Sequence, residues 1–366
     1  MAFPSFTVGV EEEFHVVDAD DLGLRSAVQR VLGPARRVLG DQVQAELLDP
    51  QIEVETPVCT SLGDVRAELA RLRRALAETA GAQHCRILAS GTHPFSTWER
   101  QGVTPVPRYR KLVDDYGQLG HEQLVCACHV HVAVEDPEAA VAVMNRTRPW
   151  LATLLALSAN SPFWEGVDTG YASYRTAVFG RWPTTVTPPP FASRAELDAL
   201  VDDILATGVI PDRGALYWDV RASARYPTLE FRVADVCPTV DEAVMLAGLI
   251  RSLVRTCHRH LGEDRPVHHP PPEVVRAARW RASRHGLDGE LVDLGGRRPR
   301  PVPAADLVSR LMALLRDDLE AHGEWEEVSA LVERQLAHGT GARRQREAAA
   351  HGGPQAAAER MLVEPE

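Results

Sequence analysis

Apolar and polar positions alternate with period two in five short stretches, 6–17, 51–58, 86–91, 123–134 and 228–236, and this predicts five strands. Between them apolar residues return every three or four positions. Over 62–80, Val65, Leu69, Leu72 and Leu76 form one stripe behind a Ser61 cap with Asp64 three residues on, which predicts a helix. Ser193 with Glu196 opens a second helix, and Thr239 with Glu242 opens a third that runs to about Leu261 before Gly262. Further helices are predicted in 137–159, 272–285, 303–321 and 324–338, with proline-rich loops at 183–190, 266–272 and 299–303. The mixture does not alternate strictly, so the expected fold class is α+β, an antiparallel or mixed sheet with helices packed on one side. Residues 1–338 are expected to form a single domain, and 339–366, with little to bury, a mobile tail.

The strands share one design. In Gly9-Val10-Glu11-Glu12-Glu13-Phe14, alternation puts Glu11 and Glu13 on one face and Glu12 on the other, among Val8, Val10, Phe14 and Val16. In Ile52-Glu53-Val54-Glu55, Glu53 and Glu55 oppose an apolar face, and in Leu229-Glu230-Phe231-Arg232-Val233 the polar face carries Glu230 and Arg232. Carboxylates two apart on one face repel unless a cation lies between them. A sheet covered by helices on its greasy side would gather these groups on its open side, where hard oxygen ligands suit Mg²⁺ or Mn²⁺ better than zinc.

Cys126-Ala127-Cys128-His129-Val130-His131 carries the atoms of a zinc site, but in a strand the cysteines and histidines face opposite sides. The cysteines are expected in the core and His129 and His131 beside the carboxylates. Among the arginines, Arg175 in a polar aromatic stretch and Arg232 beside Glu230 are the candidates for holding anionic groups.

Composition narrows the chemistry. The 366 residues carry a formal charge of −11, which argues against a nucleic-acid or anionic-membrane binder. Of 40 basic residues only Lys111 is lysine, so no Walker loop is available and phosphates would fall to arginine, backbone amides and metal ions. The start, MAFPSFTVGVEEEF, lacks the basic and apolar regions of a secretory signal, and the longest apolar stretch, 150–159, is about half a membrane span. A soluble cytoplasmic protein with six reduced cysteines is expected.

The ordered series VGVEEEF, IEVETPV, ASGTHPF, CHVHVAV, ANSPFW, DTGYASYR and LEFRVADVCPT, over about residues 6–262, resembles the bacterial carboxylate–amine ligase family, the second group of glutamate–cysteine ligases. That family is similar to glutamine synthetase in its catalytic half. The resemblance implies a sheet curved into a funnel with helices on its outer face, metal-bound ATP inside, and ATP-dependent joining of a glutamate-like carboxylate to an amine through an acyl phosphate. It implies that Glu11, Glu13, Glu53 and Glu230 hold Mg²⁺ or Mn²⁺, with Glu46 as a further ligand. It sets His129 near the nucleotide phosphates and Arg232 against the transferred phosphoryl group, so that Arg175, His131 and Arg232 are the expected cofactor contacts. A homodimer is expected from an exposed sheet edge. A guanidino-type kinase on the same sheet and a metal-dependent hydrolase using His129 and His131 are the alternatives. Phosphoryl transfer needs alignment and charge neutralisation more than a protein nucleophile, which agrees with the carboxylate faces and the single lysine.

Overall fold

The computed structural model describes residues 6–263, 265, 268–296 and 298–364. Parts of three expectations lie outside the described residues: residues 1–5 of the start, 266–267 of a proline loop, and 365–366 of the tail.

Seven strands form the main sheet: β1 (Val8–Asp18), β2 (Val43–Ala45), β3 (Gln51–Glu55), β4 (Cys85–Leu88), β5 (Ala127–Ala133), β6 (Val220–Ala222) and β7 (Thr228–Asp235). Their order is β2-β3-β1-β5-β7-β6, with β4 pairing the distal half of β1, and every pairing is antiparallel. The longest strand, β1, thus stands at the centre with β3 and β5 on its flanks. All five strands predicted from alternation are present. β2 and β6, three residues each, are too short to show a period of two.

The greasy face is covered by helices. In α1 (Val28–Leu39) and α2 (Leu62–Gly81), the buried residues Val28, Val31, Leu32, Leu69, Leu72 and Leu76 pack against Phe14, Ile52 and Val54 or the neighbouring face of β5. Each such burial contributes about 1.5–3 kcal/mol. Ser61 caps α2 in a reciprocal capping box with Asp64, as the sequence predicts. The stretch 137–159 forms two helices, α4 (Pro137–Thr147) and α5 (Leu151–Ser158), because Pro149 interrupts the hydrogen-bond ladder and leaves a 3₁₀ turn at 148–150. α3 (Pro107–Tyr116) precedes them, and α6 (Arg194–Ala206), α7 (Val240–Gly262), α8 (Pro272–His285), α9 (Ala304–Ala321) and α10 (Trp325–His338) follow. α7 is buried along sixteen consecutive residues, from Glu242 to Cys257, and forms the axis of the largest core. Among the described residues no helix is long and apolar enough to cross a membrane.

One buried charge crosses this core. Glu12, on the greasy face of β1, is fully buried and accepts two hydrogen bonds from Arg73 of α2, whose guanidinium also donates to the carbonyls of Cys237 and Pro238. The pair ties the central strand to the β7–α7 connection.

The segment expected as a mobile tail is largely helical. Gly341–Arg360 forms α11, interrupted at Gly352 and Gly353, with Gly341, Ala342, Gln345, Ala357 and Ala358 buried. The backbone beyond it pairs with β4: Val363 N–H donates to Ile87, and Ala89 N–H to Met361. Small residues gave no apolar stripe to read, but they let this segment approach the sheet closely. A Cβ on Gly341 would sit 2.1 Å from Asn160 Oδ1.

Candidate active site

The register assembles the open face of the sheet row by row. Glu11 stands opposite Glu55 on one side and His129 on the other, Glu13 opposite Glu53, and His131 between Gly9 and Glu230. Glu230 in turn faces Arg221 of β6.

Both histidines converge on Glu11. His129 Nδ1 lies 3.0 Å from Glu11 Oε2 and His131 Nε2 3.1 Å from Oε1, while His131 Nδ1 is 3.1 Å from the Thr228 hydroxyl. Burial would raise the Glu11 pKa, but the close approach and charges of the two histidines outweigh it and hold the carboxyl far below its ordinary range. His129 Nε2 is buried without a hydrogen-bond partner, and His131 Nε2, despite its approach to Glu11, is not aligned for one. His129 is pushed down by burial and by Arg232; burial also opposes charge on His131, but Glu11 raises it overall.

A second group sits one row along. Glu13 accepts from the backbone N–H of Ala127 at 2.7 Å. Glu46, on the turn before β3, is raised to about 7 by burial and by the charge of Glu13. Glu53 is raised well above its usual value by burial and by Glu11, Glu46 and Glu13. Glu13, Glu46 and Glu53 offer ligand atoms that all lie within 4.8 Å of one another, as do Glu11, Glu53 and His129, and Glu11, His131 and Glu230. Uncompensated carboxylates this close and unpartnered buried imidazole nitrogens are what a divalent cation would relieve, so the donor set fits Mg²⁺ or Mn²⁺. Glu55 belongs to none of these groups.

Glu230 is held differently. Arg221 grips it with two bonds, Nε to Oε2 at 2.8 Å and NH2 to Oε1 at 3.0 Å, and Arg232 NH1 donates to the same carboxylate. Burial raises its pKa, but Arg232, Arg221 and His131 prevail and lower it strongly. Burial disfavours the charge on Arg232, which Glu230 and Glu13 more than offset; its Nε has no partner.

These groups adjoin a cavity of about 500 Å³ whose lining includes Glu13, Glu46 and Arg232, together with Gln44, Gln51, Tyr109, Trp182, Tyr217 and Arg221. Arg36, Arg108 and Arg225 stand around it, so the lining carries five arginines. Of the expected residues, the structure brings Glu13, Glu46 and Arg232 to the cavity and Glu11, Glu53, His129, His131 and Glu230 into the adjoining cluster. Arg175 is placed otherwise: only 3% exposed, it lies behind Arg232 and does not line the cavity. Arg221 was missed. Its signal was Asp219-Val220-Arg221, an arginine in period two before a turn, but a three-residue strand is too short to read.

Both cysteines of the CHVH segment lie in the core as expected: Cys128 packs with Val130 and Val132, and Cys126 in the cluster of Phe14 and Val16. Cys126, which precedes β5, also places its sulfur 3.6 Å from His15 Nδ1 and 4.0 Å from Gln51 Nε2. A bulge between Cys128 and Val130 marks where the alternation slips. All six cysteines are free and buried, and no metal-competent group among the described residues includes one.

A central antiparallel sheet covered by helices on one face is a fold seen in solved ligases. The chain superposes on the glutamate–cysteine ligase of Francisella tularensis, solved in complex with AMP, with a TM-score of 0.73 at 13% identity, over 97% of this chain and 87% of that one. It superposes on a bifunctional glutathione synthetase from Pasteurella multocida with a TM-score of 0.71 at 17% identity, covering 97% of this chain and 51% of that longer one. In sequence it is 46% identical over 361 residues to a Frankia alni protein named by inference glutamate–cysteine ligase 2-2, covering 95% of this chain and 93% of the relative. The model of glutamate–cysteine ligase family 2 matches residues 7–364, and the chain belongs to that family.

Proposed function

We propose that the chain is an ADP-forming carboxylate–amine ligase that activates a glutamate-like carboxylate as an acyl phosphate and passes the acyl group to an amine. The observation that carries this reading is the carboxylate triad Glu13, Glu46 and Glu53 beside the buried guanidinium of Arg232, at one cavity. The family membership supports it. In such a reaction the substrate carboxylate oxygen takes the γ-phosphoryl group and ADP leaves. The amine nitrogen then attacks the acyl carbon, losing a proton, and phosphate departs.

Glu11, Glu13, Glu53 and Glu230 are the residues that would hold Mg²⁺ or Mn²⁺, with Glu46 completing the set. A cation so held would neutralise the ATP phosphates and the charge that develops on them. The remaining work falls to the chain's own groups. Arg232 presents a fixed guanidinium with an unpartnered Nε to the equatorial oxygens of the transferred group. Arg221 keeps Glu230 ionised and holds it in plane through its paired bonds. His129, kept neutral by burial and by Arg232, turns Nε2 toward Glu13 at 3.7 Å, and His131 anchors Glu11 from the other side. The arginines around the cavity favour entry of an anionic nucleotide and an acidic substrate.

The test is a phosphate-release screen of carboxylates against amines with Mg-ATP, beginning with glutamate and cysteine. A ligase gives ADP and phosphate only when both partners are present. A phosphorylated small molecule as end product would establish the kinase instead. Turnover without ATP would establish a hydrolase at His129 and His131.

A further inference from the structure

Behind Arg232 lies a set of buried polar groups that the proposed reaction does not use. Asp235, at the end of β7 and fully buried, accepts hydrogen bonds from Asn160 N–H at 2.8 Å, Ser161 Oγ at 2.7 Å and Ser173 Oγ at 2.8 Å. Arg175 NH1 stands 3.9 Å from the same carboxylate, and Arg175 NH2 donates to the main-chain carbonyl of Arg232 at 3.2 Å. Ser161 Oγ, besides donating to Asp235, accepts from the Arg175 N–H at 3.0 Å. Two further contacts confine the arginine: its guanidinium packs over the Phe179 ring at 5.2 Å, and its Nε has no partner.

The C-terminal helix α11 closes this set from the rear. Gln345, fully buried, donates to Asn160 Oδ1 at 2.7 Å, to Asn160 O at 3.1 Å and to Ser90 Oγ at 3.1 Å. Asn160 is thereby fixed with its own N–H aimed at Asp235. The space leaves no slack, since a Cβ on Gly91 would fall 2.9 Å from Asp235 Cγ.

The geometry points to Asp235 and Arg175 as positioning residues that fix β7 at Arg232, with α11 keyed into them through Gln345 and Asn160. A buried guanidinium that does not line the cavity beside Arg232, has one donor on the Arg232 carbonyl and faces a hydrogen-bonded carboxylate acts through Arg232 and not on substrate. Without that support the Arg232 carbonyl loses its bond to the Arg175 guanidinium, and the side chain loses the fixed placement on which transition-state stabilisation depends. This inference rests on Arg232 being the residue that meets the transferred group.

The experiment is a double-mutant cycle of Arg175→Met and Asp235→Asn, read by kcat and by the KM for Mg-ATP, with crystal structures of the single variants. Each single variant should lower kcat about tenfold with KM within about twofold, because geometry is lost while nucleotide contacts remain. The double variant should be no worse than the poorer single one, since both residues act through one contact. Arg175→Lys keeps the charge and serves in place of Arg175→Met should burial of Asp235 alone prevent folding. Losses that add, or a normal kcat in the folded fraction with only a lowered melting temperature, overturn the inference. So does an Arg232 guanidinium that keeps its place in the Arg175 variant. The crystallographic readout needs no turnover, so a wild type that fails to use ATP refutes the proposed function and leaves the positioning question separately answered.

Discussion

Replacing Glu46 by Gln should stabilise the metal-free protein at alkaline pH and remove its response to magnesium. In the folded chain this carboxyl is raised from 4.5 to about 7 by burial and by Glu13, so the folded state binds its proton more tightly than the unfolded state does. A group raised in this way contributes stability that is fully present below about pH 4.5 and is lost as pH climbs through 7. At about 1.4 kcal/mol for each tenfold change in affinity, the difference is on the order of 3 kcal/mol. Glutamine mimics the protonated carboxyl and keeps that contribution at every pH. In EDTA, urea unfolding should therefore show the wild type losing up to about 3 kcal/mol relative to Glu46→Gln between pH 5 and 8. His131 is also raised and shifts both proteins alike, whereas Glu53 is raised in part by Glu46, so the difference between the two proteins reports Glu46 together with the relief it gives Glu53. Adding Mg²⁺ at about a hundred times its dissociation constant should return about 2.7 kcal/mol to the wild type at pH 8, and markedly less to the variant. Stability curves for the two proteins that run parallel from pH 5 to 8 in EDTA would refute the reasoning, because Glu46 would then carry no buried charge in need of a cation.

Other substitutions test other parts of the site. Glu13→Gln should abolish ATP-dependent phosphate release while leaving the circular dichroism spectrum intact; full activity would remove this residue from the metal set. Arg232→Lys should lower kcat by about 10²-fold or more with little change in nucleotide affinity, since lysine keeps the charge but loses the planar fork; an unchanged kcat would reduce Arg232 to a partner of Glu230. Arg73→Met should cost about 3–5 kcal/mol by stranding Glu12 under the sheet, and Glu12→Leu in the same chain should recover most of it. Equal unfolding midpoints for the single and double variants would show that Glu12 finds another partner.

The faces of the strands were legible because alternation depends on one chain alone. Glu11 and Glu13 are separated from Glu12 by the pleat whatever their neighbours are, and the structure sends the first two to the open face and the third to Arg73. Neighbours are another matter. That Arg221 grips Glu230, and that Glu46 stands with Glu13 and Glu53, follow from how strands and turns pair, and the period of a short strand or a turn does not encode its partner. The same limit explains Arg175. Its stretch reads as a polar loop, and only the fold shows that the loop is threaded beneath β7, where its polarity meets Asp235 instead of solvent.

The C-terminal segment makes contacts that composition does not reveal. A segment of alanine, glycine, arginine and glutamate has little apolar surface, and the expectation of mobility follows if burial must come from apolar area. In α11 the attachment comes from close approach and from hydrogen bonds: Gly341 against Asn160, Gln345 on three acceptors, Arg344 paired with Glu242, and Arg346 paired with Asp168. Small residues are what permit it, because a helix bearing large side chains could not bring Gln345 within reach of Asn160. The groups it reaches are those that surround Asp235, two contacts from Arg232. A helix docked by polar contacts and a few alanines is sensitive to each polar contact, so this segment should transmit its own displacement to the site more readily than the leucine-packed helices on the greasy face of the sheet.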